Sequence, residues 1–219
     1  MLSLKQLSYL TAVFLALCLA SIFFIDQSLV FFIDEHLSFL QPFVNELTLY
    51  TDIVTGYTIS KYFIVGIVLL VGVIMLAIDK NLSRAKYFFF ISLTEFTSRL
   101  VVGMLKNVFE RARPSHLLES KQAGQTFWIA GGDSFPSGHV GHYFAIFLPL
   151  MVLFPKQRLL LLIVPLYISL GRLILNVHYL SDVLTSVYLV IVFTSLFGYL
   201  MKIHQRENVS VPKQSEAQQ

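Results

Sequence analysis

Charge is what this chain has least of. Only 13% of its 219 residues are Asp, Glu, Lys or Arg, against 56% hydrophobic residues. Soluble domains carry roughly 25% charged residues, so an ordinary soluble domain is excluded, and the mean hydropathy of +0.71 points the same way. Cysteine is nearly missing too. Cys18 stands alone, so no internal disulfide can form. No Asp-rich run and no His/Cys cluster has the spacing of a metal site, and neither metal nor cofactor is expected. The net charge of +3 is not gathered into a basic stripe, which argues against a nucleic-acid partner. No internal repeat is visible.

What the chain does have is a series of apolar runs near the ~20 residues needed to cross a bilayer. They cover 7–25, 62–78, 87–105, 140–154, 159–170 and 183–201. The first has no Ala-x-Ala-like exit and is longer than a signal-peptide core, so it is read as a retained anchor. Between the first two runs, Asp34, Glu35 and His36 interrupt the apolar pattern, as in short amphipathic helices lying at the interface. The expected fold is all-α: a six-transmembrane-helix bundle with short interfacial helices. Residues 1–201 form one integral-membrane domain, and the polar tail 202–219 is disordered. Glu95 and Arg99 lie inside the third run, four apart on one helical face, and read first as a mutually satisfied pair.

Six spans put both termini on one side. If that side is cytoplasmic, it holds Lys5, Lys80, Arg84, Lys86, Lys156, Arg158, Lys202, Arg206 and Lys213. The positive-inside rule then turns the polar segments 106–139 and 171–182 away from the cytoplasm.

Those two segments hold the chemistry. Gly131-Gly132-Asp133-Ser134-Phe135-Pro136-Ser137-Gly138-His139 precedes the fourth run. Small residues at a helix start can aim backbone N–H groups and the helix dipole at one anion, and His139 could exchange a proton with what the anion is attached to. The competing reading is a helix cap by Ser137 beside a surface histidine. Lys106 and Arg113 are seven apart, so two helical turns bring them to one face, and Pro114 then ends that helix. They would grip phosphate oxygens or simply contact headgroups. His178 and Asp182 are four apart, near a helix start at Tyr179. The carboxylate can hold one imidazole nitrogen protonated and leave the other free to attack; otherwise the two form an ordinary salt bridge. Arg172 offers a third cation. Trp128 and Phe127 read first as interfacial anchors and second as a cap on the site.

Lys-x6-Arg-Pro (106–114), Pro-Ser-Gly-His (136–139) and Arg-x5-His-x3-Asp (172–182), in that order and spacing, resemble the three signature motifs of the type 2 phosphatidic acid phosphatase superfamily. Gly171 departs from the pattern, which commonly has Ser before the Arg. The resemblance implies a metal-independent phosphatase of the bacterial inner membrane with its site at the outer face. His178 would attack phosphorus, Asp182 would orient it and His139 would protonate the leaving oxygen. Lys106, Arg113, Ser137, Gly138 and Arg172 would bind the phosphate. The partner would be a membrane lipid carrying a phosphomonoester or pyrophosphate, such as undecaprenyl pyrophosphate, phosphatidylglycerol phosphate, phosphatidic acid or lipid A. The same residues would serve a lipid phosphotransferase. A transporter, the reading of another class, accounts for Glu95 and Arg99 but not for three ordered motifs.

Overall fold

The computed structural model describes residues 3–80, 82–120 and 128–203; the expected tail from 204 onward and Phe127 lie outside the described residues. Among the described residues every regular element is helical. The α-helices are α1 (Leu4–Ala20), α2 (Asp26–Leu37), α3 (Gln41–Val54), α4 (Phe63–Asp79), α5 (Leu82–Phe109), α6 (Pro114–Ser120), α7 (Gly138–Leu153), α8 (Arg158–Ile174) and α9 (Leu180–Leu200).

Among the described residues, four helical stretches are long and apolar enough to cross a bilayer: Lys5–Val54, Arg84–Glu119, Pro155–Ile174 and Leu180–Leu200. Phe63–Ile78 and Gly138–Leu153 are apolar but shorter. At 1.5 Å per residue, the 16 residues of α7 span about 24 Å, against a hydrocarbon core of about 30 Å.

The first stretch is too long for one crossing. It is broken by a π-helical turn at Ser21–Ile25 and a 3-10 turn at Ser38–Leu40, irregularities that redirect a helix. Segment 26–56, expected as interfacial helices, therefore forms α2 and α3. Both pack against α8, and α2 also meets α6 and α9. They bury Asp26, Val30, Ile33, Thr48 and Asp52.

Helix α7 is the centre of the bundle, packed against α5, α8 and α9. Small residues let these helices approach, as is usual where no hydrophobic driving force separates helix from lipid. A Cβ on Gly141 would lie 3.3 Å from Ser98 Oγ and 3.9 Å from Ser186 Cβ, so α7 is wedged between α5 and α9 at this level. Val140, Phe144, Val183 and Val190 complete the seam. The ends of α5 and α8 and the starts of α7 and α9 are thereby brought together.

Candidate active site

Helix α5 carries Lys106 in its last turn and stops where Glu110 takes a left-handed backbone (φ 42°). Lys106 and Arg113 therefore do not share a helical face, contrary to the spacing argument. Pro114 does not end α5 either; it opens α6, where its missing N–H costs nothing. A loop strapped onto the end of α5 brings the two cations together instead. The amides of Ala130 and Gly132 donate to the Glu110 carbonyl, and that of Ser134 donates to the Arg111 carbonyl. A Cβ on Gly132 would lie 2.3 Å from that Arg111 oxygen, so only glycine fits. The strap delivers Asp133, which takes a two-pronged bond from Arg113 (Nε–Oδ1 2.8 Å, Nη2–Oδ2 3.0 Å). The Lys106 ammonium donates to the Asp133 carbonyl. Arg113 holds the Asp133 carboxyl down at about 2, so it remains an anion across the working pH range.

Helix α7 begins at Gly138 with its N-terminus at the cavity, although Ser137 makes no side-chain cap bond. Among the described residues Ser137 Oγ, which is buried, has no hydrogen-bond partner, and the Ser137 amide donates to the Asp182 carbonyl at 3.2 Å. Arg172, in the last turn of α8, has a buried Nε with no hydrogen-bond partner among the described residues. His178 stands outside α9, whose cap is Tyr179. Its Nδ1 lies 3.5 Å from Asp182 Oδ2, long for a hydrogen bond, as catalytic pairs often are before substrate arrives. Burial pushes the His178 imidazole down to about 4, leaving it neutral at neutral pH.

Lys106, Arg113, Gly138, His139, Arg172 and His178 line one cavity of about 290 Å³. Asp182 is fully buried behind His178, and Ser137 is buried beneath the helix start. Three cations, a helix N-terminus and two imidazoles thus converge on a space that fits a phosphate.

Residues 86–206 match the model of the PAP2 superfamily. This chain belongs to that superfamily. Among curated proteins, the PAP2 chain is 30% identical over 149 residues to a lipid A 1-phosphatase of Rhizobium etli, covering 62% of this chain and 63% of the relative. It is 28% identical over 153 residues to a lipid A 1-phosphatase of Rhizobium johnstonii, covering 62% of this chain and 60% of the relative. The PAP2 chain therefore spans less than two thirds of either relative's length. No solved structure shows a significant match.

Four charged residues of this PAP2 site carried no role in the sequence reading. Arg111 donates to Asp182 Oδ1 at 2.5 Å and to Asp26 Oδ2 at 2.7 Å. Its guanidinium is stacked between Trp128 (4.5 Å) and Tyr179 (4.0 Å). Trp128, expected as an interfacial anchor, covers this arginine. Asp26 also accepts from the Ser181 amide at 3.0 Å and hydroxyl at 2.5 Å. Asp182 further accepts from Ser134 Oγ (2.5 Å) and the Tyr179 amide (2.8 Å), so the carboxylate behind His178 is fixed from three sides. The third is Asp52, on His139, and the fourth is Asp133, on Lys106 and Arg113. Their signals were present but ambiguous: Arg111 reads as one more base at a helix exit, and Asp26 as the charge ending an apolar run.

Glu95 and Arg99 do pair, Nε to Oε1 at 2.5 Å. His142, without an evident partner in the sequence, joins them through Nδ1 at 2.7 Å from the same oxygen. Gly171 faces α3 and not the cavity: a Cβ there would meet Val44 Cγ1 at 3.0 Å and Thr48 Oγ1 at 3.5 Å. Helix packing accounts for the glycine. Among the described residues no group of three His, Cys, Asp or Glu side chains could hold a metal ion.

Proposed function

We propose that this chain is an integral-membrane lipid phosphatase that cleaves a lipid phosphomonoester or pyrophosphate through a phosphohistidine on His178, without a metal. The observation that carries the reading is the single cavity in which His178, backed by Asp182, faces Lys106, Arg113, Arg172 and His139. In this account the phosphoryl group takes the place of the Asp133 carboxylate on Arg113 and Lys106. Arg172 and the N–H groups at the start of α7 hold the remaining oxygens, where transition-state charge gathers. The free nitrogen of His178 forms a bond to phosphorus while the bond to the lipid oxygen breaks, and His139 gives that oxygen its proton. Water then attacks the phosphohistidine, His139 takes the water's proton, and inorganic phosphate leaves.

The proposed topology has six crossings, both termini in the cytoplasm of a bacterium and the cavity at the outer face of the inner membrane. Residues 1–201 act as one domain. The two Rhizobium relatives make the 1-phosphate of lipid A the first substrate to try, ahead of undecaprenyl pyrophosphate, phosphatidylglycerol phosphate and phosphatidic acid. The test is phosphate release by the purified full chain, with EDTA present, across those lipids. Release from one of them far above the rest supports the reading and names the substrate. Release that collapses with EDTA contradicts the metal-free mechanism. Label passed to an acceptor lipid and never released makes the chain a phosphotransferase.

A further inference from the structure

His139 is held by a second carboxylate, far from it in sequence. Its Nε2 lies 3.1 Å from Asp52 Oδ2, and the two side chains are 20% and 12% exposed. Asp52 comes from α3. Its other oxygen, Oδ1, accepts from Tyr143 OH at 2.7 Å, and Tyr143 OH lies 3.1 Å from Thr55 Oγ1. The Tyr57 ring also packs against the imidazole, 4.4 Å between centroids. The other charges acting on His139, Arg172 and Arg99, are both cations. Among the described residues Nδ1 has no hydrogen-bond partner, and His139 lines the cavity.

We propose that Asp52 is the positioning residue for His139, holding the proton on Nε2 so that Nδ1 faces the reacting lipid oxygen and, later, the attacking water. The inference rests on the phosphatase reading for its chemistry, though not for its geometry. The site then contains two His–carboxylate dyads: His178–Asp182 for attack on phosphorus and His139–Asp52 for proton transfer. In the first half-reaction the imidazolium, stabilised by Asp52, gives its Nδ1 proton to the leaving oxygen as the P–O bond breaks. In the second, the bare Nδ1 takes a proton from water, which restores the imidazolium. Asp52 exchanges no proton in either step.

Asp52→Asn gives a specific expectation. Because Tyr143 donates to Oδ1, the amide oxygen of Asn takes that position and its NH₂ faces His139. The imidazole must then accept at Nε2 and carry its proton on Nδ1, the wrong tautomer for the second half-reaction. The measurement is the ¹⁵N spectrum of His139 in the detergent-solubilised full chain, assigned with His139→Ala, together with kcat/KM for the best lipid phosphate. Wild type should show neutral His139 protonated at Nε2. Asp52→Asn should show protonation at Nδ1, with kcat/KM lower by about 10². Tyr143→Phe leaves the Asp52–His139 bond in place and should keep the wild-type tautomer. A wild-type His139 protonated at Nδ1 overturns the proposal even if Asp52→Asn does not fold. So does an Asp52→Asn protein with unchanged tautomer and kcat/KM within about threefold of wild type. A chain that shows the tautomer switch but hydrolyses no lipid phosphate refutes the phosphatase reading and leaves the dyad standing.

Discussion

His178 combines burial with a nearby carboxylate, and its protonation is where the two effects compete. Burial disfavours the imidazolium more than Asp182 favours it, leaving the imidazole titrating at about 4 instead of about 6.5. As pH falls below 6.5 the unfolded chain binds a proton that the folded chain does not. Stability at this position is therefore complete above pH 6.5 and is lost progressively down to pH 4, by a few kcal/mol. Thermal unfolding in detergent should show Tm falling across that window, and His178→Gln should flatten the fall; an equal fall in the variant contradicts it. For catalysis, His178→Ala should lower phosphate release by at least about 10³-fold with the protein still present in the membrane. Arg111 touches no cavity space, yet it sits between two buried carboxylates. Arg111→Gln leaves both without their cation, which typically destabilises by about 3–5 kcal/mol. Both Tm and kcat should drop, whereas activity lost at unchanged Tm would mean that Arg111 reaches the substrate. These residues also mark how far the sequence could be read. Lys106, Arg113, His139, Arg172, His178 and Asp182 were legible because each carries its chemistry in a short, fixed pattern. Asp26, Asp52 and Arg111 were not, because their roles lie in bonds to residues 155, 87 and 71 positions away, and an isolated Asp or Arg near an apolar run looks the same whether buried or solvated.

Among the elements, the strap 129–134 and the α3–α8 contact decide whether the motifs meet. Gly132→Ala drives a Cβ into the Arg111 carbonyl, and backbone cannot yield as a side chain tip can. The strap should lift, taking Asp133 from Arg113 and Ser134 from Asp182. Lower Tm and at least about tenfold lower kcat/KM are expected, since a misplacement near 1 Å is already costly. Gly171→Ser tests a different contact. Its side chain would press on Val44 in α3, so stability should fall by the ~1–3 kcal/mol typical of overpacking, seen as a lower Tm, while KM stays unchanged. Tighter substrate binding in Gly171→Ser would show that this position reaches the phosphate after all. Helices were legible as apolar runs, although α5 and α8 extend beyond them. The break at Glu110 was not, since a non-glycine residue at positive φ leaves no mark in composition. That is why the helical spacing of Lys106 and Arg113 suggested the right neighbours for the wrong reason.

For the molecule as a whole, the architecture follows from scarcity of charge. Among the described residues, the few buried ionisable groups sit around one cavity or one step behind it: Asp26, Asp52, Arg111, His178 and Asp182, with Glu95 and His142 beside them. Burying so many ionisable groups in an apolar bundle is expensive unless each is paired, and the pairing builds the site. Helical class and family were readable from runs and motifs; the convergence of α2 and α3 on the site was not, because amphipathic segments carry no record of what they pack against. The central claim is that phosphate passes through His178. The most direct measurement is to mix the purified chain with lipid substrate labelled in its phosphate, quench in alkali, and find the label on the protein. The account predicts an alkali-stable, acid-labile phosphate on the peptide containing His178, absent from His178→Ala. Rapid phosphate release with no label on the wild-type protein, or label on another residue, would contradict it.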